Sequence, residues 1–171
     1  MLQIHKIRRA IVVPLGAALF SLFVLLMLAW SVPSLPGERT VLTTLFIILG
    51  YLLLEVTSRQ VTFRDEGVEF GKFLRQKELR WDDITHLGSV VMGAKVYILL
   101  TTTRGFYVLS NNYEGFTELL QCLRTNLASE RVDKEISDLI ERPRPNNKPV
   151  LSAWLVVAVV IAVIALRLFT V

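Results

Sequence analysis

Three long apolar runs interrupt a chain that otherwise mixes polar and apolar positions. Ile11 to Trp30 holds twenty residues without a charge, and at about 1.5 Å per helical residue that length covers the roughly 30 Å hydrocarbon layer. The second run, Thr40 to Leu54, is shorter. Arg39 and Arg59 bracket nineteen residues there whose one charge, Glu55, lies close enough to an end to reach the headgroups. The third, Pro149 to Leu166, has eighteen uncharged residues rich in Val and Ile. In water they would favour a strand, but in lipid the backbone must satisfy itself and they form a helix. Between the first two runs, Pro33, Pro36 and Gly37 predict a tight connection and an antiparallel helical hairpin.

From Gln60 to Arg142 the period changes. Gln60-Val61-Thr62-Phe63-Arg64 alternates, Asp65-Glu66-Gly67 supplies turn chemistry, and Val68-Glu69-Phe70 resumes the alternation, which predicts a hairpin. Glu78 to Trp81 continues it, with Leu79 and Trp81 on one face and Asp82-Asp83 ending the strand. Val96–Thr102 and Phe106–Leu109 flank Thr103-Arg104-Gly105, a short connection with glycine where positive φ is wanted. Five to seven short antiparallel strands are expected. A helix follows: Asn111-x-x-Glu114 has the form of a capping box, and Phe116, Leu119, Leu120, Leu123 and Leu127 share one helical face. A second helix, Ser129 to Glu141, gathers Val132, Ile136, Leu139 and Ile140, with Glu130/Lys134 and Asp138/Arg142 as supporting pairs. Proline-rich residues from Arg142 to Pro149 then form a stiff linker. The expected divisions are 1–58 (N-terminal tail and helical hairpin), 59–128 (central domain), 129–148 (amphipathic helix and linker) and 149–171 (C-terminal span).

Composition agrees with a membrane protein: 53% of the 171 residues are apolar and 20% charged. Orientation follows from Lys and Arg, of which seventeen fall in the N-terminal tail and central segment and two, Arg39 and Arg167, elsewhere. By the positive-inside rule the N-terminus and central domain are cytoplasmic and the C-terminus lies outside, in a multi-pass protein of the cytoplasmic (inner) membrane. Ala29-Trp30-Ser31 resembles a signal-peptide cleavage site, but the apolar run exceeds the usual signal core and another span follows closely, which favours an uncleaved anchor. A net charge of +4, scattered along the chain, does not make a nucleic-acid binder. One cysteine, Cys122, excludes an internal disulfide and a multi-Cys zinc site, and His5 and His86 are far apart in sequence.

Four strings, Val61 to Phe70, Leu79 to Ile84, Leu100 to Val108 and Tyr113 to Leu120, resemble bacterial pleckstrin-homology-like domains of the membrane-anchored type. The resemblance covers Thr57 to Leu127. It implies a seven-stranded, strongly bent antiparallel sheet capped by one helix and used for binding rather than catalysis. The fold class expected is therefore α+β, with three transmembrane helices and a cytoplasmic pleckstrin-homology-like domain.

Lys72, Arg75, Lys77 and Arg80 form a basic cluster beside Phe70 and Phe73, the candidate lipid-binding residues, although the same charges also keep a strand soluble. Trp81 is read as core and Asp82 and Asp83 as turn formers. His86, placed in the turn after them, has no neighbouring nucleophile. Cys122 is a thiol near the apolar helix face, and Glu55 a residue at a span boundary. Ala158, Ala162 and Ala165, like Ala17 and Ser21, offer small surfaces for helix contact. No catalytic residue, metal site or cofactor is expected. The leading expectation is a non-enzymatic accessory or assembly subunit, whose domain binds a membrane-protein partner or a second copy. Recognition of anionic headgroups or a small ligand is the alternative.

Overall fold

The fold is that of a computed structural model in which residues 3–31, 36–103, 105–143 and 146–170 are described. Val32 to Leu35 of the hairpin connection, Arg104 of the Thr103-Arg104-Gly105 turn, and Arg144-Pro145 of the linker lie outside the described residues. The chain divides into two compact units: Met1–Arg8 with Ser58–Asn146, and Arg9–Thr57 with Asn147–Val171.

The second unit is helical. α1 (Arg9–Ser31), α2 (Glu38–Ser58) and α5 (Lys148–Thr170) are each long and apolar enough to cross a membrane, with mean hydropathy of 2.7, 1.9 and 2.8. α1 is the inner helix. Its Ala18, Leu22, Leu25 and Ala29 are buried, and Leu42, Phe46 and Leu49 of α2 and Val160 and Ile164 of α5 belong to the same apolar cluster. The alanines let the backbones approach closely where apolar burial in lipid gives no driving force of its own. At one end, Arg39 Nε donates to the Ala29 carbonyl at 3.0 Å and its guanidinium lies 5.2 Å from the Trp30 ring centre. At that same end of α2, Glu38 is ion-paired with Arg167 near the end of α5. Ala158 and Ala162 are exposed, and α5 instead faces its neighbours with Val157, Val160 and Ile164.

The first unit is α+β. One antiparallel sheet runs β1 (Gln3–Lys6), β2 (Gln60–Arg64), β3 (Gly67–Lys72), β4 (Arg75–Arg80); a second runs β5 (Ile84–Met92), β6 (Lys95–Thr102), β7 (Gly105–Ser110). The strands thus form two antiparallel sheets, where the resemblance implies one bent sheet. α3 (Phe116–Asn126) and α4 (Lys134–Glu141) follow. Val61, Phe63, Val68, Ile98, Leu100, Leu109, Leu119, Leu120, Leu123 and Ile136 share one core, with Phe116 and Trp81 at its margin. Burying such a side chain stabilises by about 1.5–3 kcal/mol. Gly67 permits the tight β3–β4 pairing, because a Cβ there would lie 2.1 Å from the Leu79 carbonyl oxygen.

Four local expectations are corrected. Residues 3–6, assigned to a tail, form β1, which pairs with β2 in the register Gln3↔Phe63 to Lys6↔Gln60. α3 begins at Phe116 with Gly115 at its cap, not at a capping box on Asn111. Tertiary partners take the donors: Asn111 Nδ2 donates to the Ala94 carbonyl at 2.8 Å, and the Glu114 amide to the Lys6 carbonyl at 2.8 Å. The helix expected from Ser129 to Glu141 is broken into a 3-10 turn, Ser129–Arg131, and α4. Between them Val132 bridges to Leu87, and the Asp133 amide donates to the Leu87 carbonyl at 3.0 Å, so Glu130 and Lys134 do not share a helix. Finally, Ile84 to Met92 is a nine-residue strand, with His86 inside it rather than in a turn. A register irregularity between Ile84 and His86 shifts the alternation by one residue and hides the strand from its sequence pattern.

Candidate functional site

The basic cluster sits on the β3–β4 hairpin, and all four side chains are exposed. Cross-strand pairing sets Lys72 opposite Arg75, Phe70 opposite Lys77 and Gly67 opposite Arg80. Alternation then separates them: Arg75 and Lys77 share a face with buried Leu79, while Arg80 points to the other. On that other face Arg64 Nη2 pairs with Glu69 Oε2 of the adjacent strand at 2.6 Å. Lys77 Nζ lies 5.7 Å from the ring centre of Tyr107, which itself stacks on Phe70 at 5.1 Å. Lys72, directly opposite Arg75, lies with Arg75 and Lys77 on one face of the hairpin, and Arg80 alone falls on the other. The hairpin tip is unusual in another way: Leu74 has φ 58° and is 88% exposed, a conformation costly for a branched side chain.

Trp81 lies on a 3-10 turn, Trp81–Asp83, stacked on Phe63 with ring centres 6.1 Å apart and Nε1 donating to the Arg64 carbonyl at 3.3 Å. Asp82 and Asp83 are exposed beside it. Cys122 is half-buried, and burial pushes its thiol pKa up against a weaker opposing contact from Asn126. His86 Nε2 lies 3.4 Å from Asp133 Oδ1, a partner the sequence did not suggest because it is set by the Leu87–Val132 bridge. Among the described residues no group of three or more His, Cys, Asp or Glu side chains is placed to hold a metal ion.

The outer face of the β5–β6–β7 sheet was not singled out by sequence pattern. Register aligns Gly88, Leu99 and Val108 in one row and His86, Thr101 and Phe106 in the next. An open depression of about 520 Å³ is lined by His86, Gly88, Leu99, Thr101, Phe106 and Asp133 among others. Gly88 is part of this lining, and a Cβ there would lie 3.1 Å from Asp133 Oδ2. Phe106 and Val108 are 70% and 49% exposed.

The edges of the two sheets are managed differently. β1 continues into an extended pairing, with Ile7 bridged to Tyr113 and the Arg8 amide donating to the Asn112 carbonyl at 3.0 Å. β4, Arg-Gln-Lys-Glu-Leu-Arg, is charged along its length. β5 is flanked by Val132 and Asp133. β7 ends its sheet, and its six residues, Gly105 to Ser110, include neither a charge nor a proline. Exposed edges of this composition are templates for another strand, and charge, proline or cover normally blunts them.

No family model matches this chain, and neither does any curated protein or solved structure.

Proposed function

We propose that the chain is a non-enzymatic integral membrane protein, with a pleckstrin-homology-like domain on the cytoplasmic face that binds an extended segment of a partner membrane protein along β7. The observation that carries this reading is the uncharged β7 edge beside an exposed apolar face. A strand added there would satisfy the edge amides and carbonyls, and alternate apolar side chains would meet Phe106 and Val108. Seven antiparallel strands with a following helix agree with the family reading, while their division into two sheets departs from it. The apolar helices already supply membrane residence, and Thr57 to Lys148, with fourteen basic and thirteen acidic residues, has almost no net field to hold an anionic surface. In this role the protein is an accessory or assembly subunit of a membrane complex.

Photo-cross-linking in native membranes tests the reading. A photoreactive residue at Phe106 or Val108 should give a discrete adduct with one membrane protein, and Val108→Pro should abolish it without releasing the chain from the membrane. Adducts of equal yield from exposed Glu130 would remove β7 as the docking edge. The exposed Leu74 tip between Lys72 and Arg75 favours a second reading, contact with anionic lipid. Tight binding of the isolated domain to anionic vesicles at physiological salt, lost when Lys72, Arg75, Lys77 and Arg80 are neutralised together, would install that reading instead.

A further inference from the structure

Strand register lays four rows across the outer face of β5–β6–β7: Met92 with Lys95, Val90 with Tyr97 and Ser110, Gly88 with Leu99 and Val108, and His86 with Thr101 and Phe106. The opposite face sends Val96, Ile98 and Leu100 into the core of the α+β unit. On the outer face Met92, 66% exposed, and Val90 continue the exposed apolar area of Phe106 and Val108. Contiguous apolar area of this kind marks a contact surface.

The two ends of the face are unlike. At one end Met92 projects from the β5–β6 hairpin with Lys95 opposite it, an exposed cation with no ion pair among the described residues. At the other lies the open depression of about 520 Å³, where the Asp133 side chain stays 43% exposed despite its contact with His86. A flexible apolar knob and a cation therefore stand roughly 13–20 Å along the strands from a hollow and an anion. A twofold rotation about an axis that lies in the interface and crosses the strands brings these ends together in reverse. Met92 of each copy then enters the depression of the other, and Lys95 meets Asp133, so one operation matches shape and charge twice. Methionine suits an irregular hollow because its unbranched side chain adapts to it. The overlay with rows in the same order sets Lys95 against Lys95 and leaves both hollows unfilled.

We propose that the outer face of β5–β6–β7 docks a second copy of this chain in the reversed overlay. A face of this length and three strands' width buries on the order of 900 Å² in total, less than the roughly 1,200–2,000 Å² of a stable soluble complex. The apolar helices make up the difference by holding both copies in one bilayer, which raises their effective concentration. The docking uses side chains that stand out from the sheet, whereas the β7 edge offers backbone groups in its plane, so the two surfaces are separate.

The test uses the full chain in native membranes, produced in one cell as two differently tagged copies. A photoreactive residue at Met92 should give an adduct carrying both tags, joined to residues 86–88 or 99–106 of the second copy. Lys95→Glu and Asp133→Lys should each lower its yield on the order of 10-fold, because each turns two attractive pairs into two repulsive ones. Produced together, one variant on each tag, they should recover it, since the mixed pair again sets opposite charges together at both ends. If Asp133→Lys melts below the parent, Lys95→Glu alone carries the comparison, Lys95 being exposed on the hairpin. Val108→Pro, directed at the β7 edge, should leave the yield unchanged. An adduct with another protein and none with a second copy, a junction at residues 92–95, or a yield indifferent to Lys95→Glu would each overturn the proposal.

Discussion

Leu120 is fully buried among both sheets' core residues. Leu120→Ala should destabilise by about 2–5 kcal/mol, since the surrounding core relaxes only partly around the lost volume. Denaturant melts of the full chain in mild detergent would measure it, and an unchanged midpoint would mean that α3 is not packed there. Tyr113 gives a pH dependence of known sign. Burial raises its pKa above the ordinary 10.0, and the Arg59 charge opposes this less strongly. The unfolded chain then releases its phenolic proton first. The Tyr113 contribution is complete below pH 10 and is lost as pH rises through the folded value. Tyr113→Phe should therefore reduce the loss of stability as pH rises above about 10. At this scale the apolar stripe of α3 was legible, because Leu119, Leu120 and Leu123 repeat at helical spacing. The partners of Asn111 and His86 were not, because they are Ala94 and Asp133, brought close by tertiary pairing and not by any local period.

Elements were legible where one local signal dominated. β2 and β3 alternate around Asp65-Glu66, and β6 and β7 flank a glycine, so their existence follows from pattern and turn chemistry alone. β1 was illegible because four residues ahead of a long apolar run carry too little alternation, and their partner lies beyond two helices. The candidate site fared likewise. The basic residues of β3–β4 stand out in the sequence, whereas the β7 edge is visible only once the order of strands is known. Removing residues 3–6 should uncover one side of β2. In hydrogen–deuterium exchange the amides of Val61 and Phe63 should lose protection, while β6, paired on both sides, keeps its own. Unchanged exchange in β2 would show that β1 contributes nothing to that sheet.

For the whole molecule, the three apolar runs were the clearest signal, and three helices of suitable length and hydropathy stand where they fall. The second extends beyond the uncharged stretch, from Glu38 to Ser58, since Glu38 is paired with Arg167 and need not end the helix. Sidedness rests on the distribution of Lys and Arg. A reporter fused after Val171 should be active outside the cytoplasm, and one inserted between Asn146 and Asn147 should be active inside. Activity of both in the same compartment would remove a span. The pairing of β1 with β2 also bears on how the protein is made. β1 leaves the ribosome first, yet its partner follows only after α1 and α2, a delay of roughly 3–10 s at typical synthesis rates. During that interval the strand has nothing to bind, and a hairpin inserted through one helix alone would strand it on the wrong side of the bilayer. β1 and β2 pair only where the two helices between them leave both strands in one compartment, so a chain with one of those helices across a membrane and the other not would keep an open β2 edge.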